Sequence, residues 1–197
     1  MKKWCGVLFV VVLLAAFASA DTLKLISAPY GENGPYSMTL NGSSVKAICY
    51  SASNFVTLGE SWTVQAFTID TIASRPAGST TYFPGTVQQY NLLGYLGSML
   101  FASPGNADIQ NAIWAVLGTG GAQNQIYQDA LTYIQNNAGY KTSLLFYIPV
   151  GTFSSLTGYP YGLPQPFMVI PVPEPGTIVL TGAGFLIMMI RRQRLPA

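Results

Sequence analysis

The chain has no histidine, and only 8% of its 197 residues are charged. Histidine is the side chain that most readily exchanges protons near neutral pH. Its absence excludes Ser-His and Cys-His nucleophiles and any metal site built on imidazole. Acid–base work would fall to carboxylates, of which Glu60 and Asp70 are the nearest pair in sequence, and no recognised motif surrounds them. The sequence thus argues against an enzyme and calls for no metal and no cofactor. Cysteine is scarce too, with two in the chain, Cys5 and Cys49.

Compartment decides what those cysteines can do. Lys2 and Lys3 precede an apolar run from Val7 to Ala16, and Ala18-Ser19-Ala20 supplies the small residues a signal peptidase accepts. This predicts a secretory signal peptide over residues 1–20 and a mature start near Asp21. The apolar run is shorter than the roughly 20 residues that a spanning helix needs. Cys5 leaves with the peptide, so Cys49 becomes a lone sulfur in an oxidising compartment. It is then inert and buried, paired between chains, or chemically committed elsewhere.

The other end, residues 171–197, has three parts. Pro173-Glu174-Pro175 is followed by an uncharged stretch from Thr177 to Ile190, and Arg191, Arg192 and Arg194 close the chain. Prolines mark the start of a helix, and the arginines would stay on the cytoplasmic side, leaving the body facing outward. The stretch is short for a permanent span, which favours a temporary membrane handle over a single-pass anchor. This arrangement resembles the PEP-CTERM sorting signal of exopolysaccharide-making Gram-negative bacteria. The resemblance implies that an exosortase recognises Pro173, Glu174 and Pro175 and sends the protein toward the cell surface or extracellular matrix.

Residues 21–170 are the right length for one domain with a real core. They carry Lys24, Lys46, Arg75 and Lys141 against Asp21, Glu32, Glu60, Asp70, Asp108 and Asp129, so the body is net acidic although the whole chain is formally +2. A basic surface for phosphate backbones is missing, and nucleic acid is excluded as an expected partner.

The first half of the body reads as strands. Tyr36, Met38 and Leu40 alternate with polar residues, Asn41-Gly42 is a tight-hairpin signature, and the return arm puts Val45, Ala47 and Cys49 on one face. Trp62, Val64, Ala66 and Thr68 form one face of another strand, with Phe67 and Ile69 on the other. The period then becomes helical: Val87, Tyr90, Leu93, Leu96 and Leu100 before Pro104-Gly105, then Ile109, Ile113, Val116 and Leu117 behind an Asn106 cap, up to Gly118. A third helix is predicted from about Asn124 to Gln135 with Ile126, Ala130, Tyr133 and Ile134 facing in. Strands return at 143–150 and 167–170. The predicted class is α+β: a strand-rich sandwich or partly open barrel, about three inserted helices, and terminal signal and hydrophobic helix.

Gln110-Asn111-Ala112-Ile113-Trp114 places Gln110 and Trp114 four apart, on one flank of a short helix. Together with an upstream cysteine on a strand, this pattern resembles the thioester domain of bacterial surface adhesins. Ile109 stands where that family usually has Thr or Ala, and the aromatic Tyr50 follows the cysteine instead of preceding it. The resemblance implies an internal thioester between Cys49 and Gln110, framed by Tyr50, Ala112, Ile113 and Trp114. Such a group is an activated acyl that a lysine amine on a surface or matrix target could attack once, leaving an amide cross-link. Formation needs the thiol held against the amide carbonyl, and positioning of that kind contributes roughly 7–11 kcal/mol. Oxyanion donors are expected from the helix-start N–H groups or the Tyr50 hydroxyl, and a water shield from Trp114, Trp62 and Phe67. The competing expectation is a non-covalent matrix or exopolysaccharide-binding module with a passive buried Cys49, using Tyr159 and Tyr161.

Overall fold

The computed structural model describes residues 20–54, 56–74, 85–150 and 164–170. The expected signal peptide up to Ser19, the Pro173-Glu174-Pro175 motif, the hydrophobic stretch, the arginine tail and Tyr159 and Tyr161 lie outside the described residues. Among the described residues no helix is long and apolar enough to cross a membrane.

Alternating side chains produce six strands: β1 (Asp21–Ser27), β2 (Tyr36–Leu40), β3 (Ser43–Cys49), β4 (Ser61–Phe67), β5 (Leu145–Pro149) and β6 (Phe167–Val169). They close into an antiparallel barrel in the order β1-β2-β3-β6-β5-β4, with β4 returning to β1. This corrects the sandwich or partly open barrel to a closed one. Closure removes exposed edges, which a sheet this small could not otherwise protect. Asn41-Gly42 makes the β2–β3 turn with both residues at positive φ (50° and 84°), as the hairpin signature requires.

Register sorts the core into two clusters. Leu23 faces Leu40 and Trp62, Met38 faces Val45, Tyr36 faces Ala47, and Cys49 faces Phe167 across β3 and β6. These side chains fill the barrel interior with Leu25, Val64, Tyr147 and Val169. The opposite face carries a row, Ile48 beside Met168, Met168 beside Phe146, Phe146 beside Phe67, which packs outward against helices. β5 and β6 are thus apolar on both sides, whereas Lys24, Lys46, Ser61 and Thr63 leave the other side of the barrel wet.

Four α-helices sit between β4 and β5 among the described residues: α1 (Ile69–Ala73), α2 (Val87–Ala102), α3 (Ala107–Val116) and α4 (Gln125–Asn136). About three were expected. The extra one arises where Thr68, expected on the strand, instead caps the Thr71 N–H and starts α1 at Ile69. Thr86 and Gln89 form a reciprocal capping box at α2, and Asn106 and Asn124 cap α3 and α4. In α4, Ala130 and Ile134 are buried as expected, but Tyr133 is 40% exposed and stacks on Tyr95 of α2 at 4.5 Å. Ring stacking with a neighbouring helix, and not core burial, holds that tyrosine.

α2 lies close against the chain leading into β5. A Cβ on Gly94 would meet Thr142 Oγ1 at 2.0 Å, and Asn91 Oδ1 accepts from the buried Thr142 N–H at 3.0 Å. Gly94→Ala should therefore lower the unfolding free energy by about 1–3 kcal/mol through overpacking. Gly139→Ala, where nothing stands within 4 Å of the added carbon, should stay within about 0.5 kcal/mol of the parent. Urea unfolding midpoints of the two variants check this pair of outcomes.

Candidate functional site

Cys49 is the last residue of β3, and its side chain ends the interior row of the barrel with no exposed surface. At this end α3 reaches the barrel through two side chains, Gln110 and Trp114. Ile109, Ala112, Ile113 and Val116 of that helix pack into the cluster between helices and barrel, while the half-buried Trp114 packs against the interior cluster. Gln110 and Trp114, one helical turn apart, both reach Cys49. The Gln110 Nε2 donates to the Cys49 carbonyl oxygen at 2.9 Å, and the Trp114 Nε1 donates to its sulfur at 3.4 Å.

Gln110 is fully buried, and its carbonyl oxygen Oε1 has no hydrogen-bond partner. That oxygen sits where a Cβ on Gly34 would approach to 3.0 Å. Gly34 has φ +48°, and its carbonyl oxygen accepts from Gly105 N at 2.9 Å. The loop before β2 is thereby tied to the turn before α3, closing over the glutamine. An orphaned buried carbonyl costs about 1–3 kcal/mol relative to a paired one.

The sulfur has further partners. The thiol donates to Ser51 O at 3.0 Å, and the Gln165 side-chain amide donates to both the sulfur and, at 2.7 Å, the same Ser51 oxygen. Gln165 is buried and lies two residues before Phe167, the β6 partner of Cys49. Sequence reasoning missed it. The available signal was a polar residue and a proline placed directly before the apolar run Phe167-Met168-Val169. A polar mesh supports this corner: Asn54 Nδ2 donates to Pro164 O at 3.4 Å, Ala52 N to Thr119 Oγ1 at 3.2 Å, and Thr119 Oγ1 to Trp114 O at 3.2 Å.

Of the expected residues, Cys49, Gln110 and Trp114 come together, and Ala112 and Ile113 seat the helix. Tyr50 turns to the other side of the barrel wall, where its ring meets Tyr90 at 6.5 Å and Phe146 at 5.9 Å edge-on and its buried hydroxyl has no partner. It supports the wall behind the sulfur. Trp62 lies in the barrel interior against Phe167 (5.8 Å), and Phe67 faces the helices. The carboxylates Glu60 and Asp70 are engaged separately: Glu60 Oε2 accepts from Thr57 N at 2.8 Å, and Asp70 pairs with Lys141 at 2.6 Å.

Burial pushes the Cys49 thiol up to about 12, and the Glu32 carboxylate acts in the same direction; the hydrogen bonds with Trp114, Ser51 and Gln165 pull the other way without overcoming it. Tyr36 and Tyr50 are raised as well, again chiefly by burial. A free Cys49 is therefore protonated at neutral pH. Unfolding exposes a thiol with the ordinary value of 9.0, so below about pH 9 stability is unaffected, and between 9 and about 12 unfolding releases a proton and stability falls. In a Gln110→Ala background, which keeps the sulfur free of that amide, stability should decline across this window with a slope up to about 1.4 kcal/mol per pH unit steeper than in Gln110→Ala/Cys49→Ala. Urea titrations at stepped pH measure the difference, read below about pH 10, where the tyrosines, themselves raised in part by Cys49, contribute least. Compared with protein-family models, curated proteins and solved structures, the chain matches none.

Proposed function

We propose that this is an exported, surface-sorted bacterial protein that captures amine-bearing partners through an internal thioester between Cys49 and Gln110. The observation that carries the reading is a completely buried glutamine, with an unpartnered carbonyl oxygen, held by its own amide against the one free cysteine among the described residues. Core packing and the backbone bond explain only half of this side chain, since Nε2 satisfies the Cys49 carbonyl while Oε1 is buried with no partner.

Formation needs a short rearrangement. The Gln110 carboxamide exchanges its contact with the Cys49 carbonyl for the sulfur of the same residue. The sulfur then bonds the amide carbon, the C–N bond breaks, and ammonia leaves with the thiol proton. A thioester oxygen is a weaker acceptor than an amide oxygen, so leaving it unpartnered in this pocket costs less. The product also removes a titratable group from the core. Capture is a second acyl transfer at the same carbon: a lysine or other amine attacks the Gln110 carbon, the C–S bond breaks, and Cys49 is released as a thiol with the proton the amine sheds. The chemistry turns over once, so the protein is a self-consuming binder and not an enzyme.

Export and sorting rest on the terminal segments. The basic and apolar start followed by Ala18-Ser19-Ala20 supports cleavage by signal peptidase. The Pro173-Glu174-Pro175 motif, apolar stretch and Arg191, Arg192 and Arg194 support transient membrane retention and exosortase processing before delivery to the surface or matrix.

Intact-mass measurement of the processed, non-reduced protein tests the core of the reading. The expected species is lighter than its sequence mass by one ammonia, resists thiol reagents, and gains methylamine with release of one thiol. Cys49→Ala and Gln110→Ala should each restore full mass and abolish methylamine uptake. A wild-type protein at full mass with a free thiol would instead mark a non-covalent matrix-binding module with a passive cysteine.

A further inference from the structure

Two side-chain N–H donors converge on the Cys49 sulfur, from Trp114 on the helical layer and Gln165 on the barrel. A neutral buried thiol needs neither; it is satisfied by donating to Ser51 O. The arrangement changes meaning once the sulfur loses its proton. Sulfur and the Ser51 oxygen, 3.0 Å apart, are then two electron-rich atoms facing each other, and the Gln165 amide group touches both. One of its hydrogens is anchored on Ser51 O, which aims the other at the sulfur.

Resting on the thioester reading, we propose that Gln165 is a catalytic residue of this site, donating a hydrogen bond to the Cys49 sulfur whenever it attacks or leaves as thiolate. When the thioester forms, the thiol proton passes to the departing ammonia, and the sulfur carries negative charge on the way to the amide carbon. On capture, the amine nitrogen bonds the Gln110 carbon, the C–S bond breaks with its electron pair on sulfur, and the sulfur takes up the proton that the amine sheds. No electrons are exchanged with an outside partner in either direction. Both barriers include charge on a sulfur with no exposed surface, where an aimed donor is worth more than in water. Gln165 is well placed to supply it without reorganising, because the ladder fixes its backbone: Tyr50 N donates to Pro166 O at 3.4 Å, and Phe167 pairs with Cys49.

The test compares methylamine uptake by wild type, Gln165→Met and Gln165→Glu, followed by intact mass from pH 5 to about 9. Gln165→Met keeps the bulk and loses the donor, and should react about ten- to one-hundred-fold more slowly while still folding cooperatively, with a lowered melting temperature because the Ser51 carbonyl loses its amide donor. Gln165→Glu places a carboxylate beside the sulfur at neutral pH. Its rate relative to wild type should be low there and should climb as pH falls and the protonated acid regains an O–H donor. A pH-independent ratio would mark a packing role and overturn the proposal even if Gln165→Met fails to fold. So would Gln165→Met reacting at the wild-type rate in a background where wild type lacks one ammonia. A wild type at full sequence mass is a separate result, which overturns the thioester reading and this inference with it.

Discussion

The carbonyl oxygen of Cys49 is where the barrel and the helical layer are joined by a specific polar bond. β3 ends at this residue, and the strand beyond it, β6, is only three residues long. The last carbonyl of the strand therefore needs a partner from elsewhere, since a buried backbone group without one is costly. Gln110 supplies it from 61 residues away in sequence. Removing the glutamine side chain would orphan a backbone acceptor and open a gap below Gly34 and Leu100, whose atoms crowd the same spot. With its amide intact, Gln110 ties α3 to the end of β3, the same residue whose sulfur Trp114 reaches.

That docking accounts for the chemical state of the cysteine. Desolvation raises the thiol toward 12 even though three hydrogen bonds oppose it. The folded protein consequently disfavours a resting thiolate while keeping donors on the sulfur. A site built only to store an inert cysteine would need the first property and not the second. A site in which sulfur is charged only briefly, in transit between acyl carbon and proton, makes use of both.

Much of this was legible from local pattern. The face shared by Val45, Ala47 and Cys49 followed from alternation around the Asn41-Gly42 turn, and the Gln110–Trp114 flank followed from helical spacing behind the Asn106 cap. Those signals are short range, and the structure preserves them because the barrel interior demands the strand period and the helical interface the helical period. Barrel closure was not legible, because the pairs β1–β4 and β3–β6 join segments far apart in the chain and leave no local trace. Thr68 was misread since a capping threonine also fits a strand's alternation, and only the tertiary position of Ile69 under α2 decides between them. Tyr133 satisfied the helical stripe but found Tyr95 before it found the core. Gln165 was passed over because a lone glutamine before a proline reads as loop; its burial depends on β6 pairing with β3, which no neighbouring residue announces.

The topology divides the site in a way that bears on how the proposed bond would be sheltered. Cys49 and Gln165 belong to the barrel, and Gln110 and Trp114 belong to the insertion between β4 and β5. Those two strands pair directly with each other, so the barrel's hydrogen-bond ladder is complete without the insertion. The helices contribute cover and one of the two residues of the proposed bond, and α3 carries both Gln110 and Trp114. In the folded protein Cys49 and Gln110 have no exposed surface and Trp114 is the most exposed of the sulfur's side-chain partners. In the proposed chemistry, covering the sulfur and bringing it an acyl partner would both depend on the placement of α3. An activated acyl group made in this way would come into existence already shielded, which is the condition a slow-hydrolysing, single-use reactive bond has to meet.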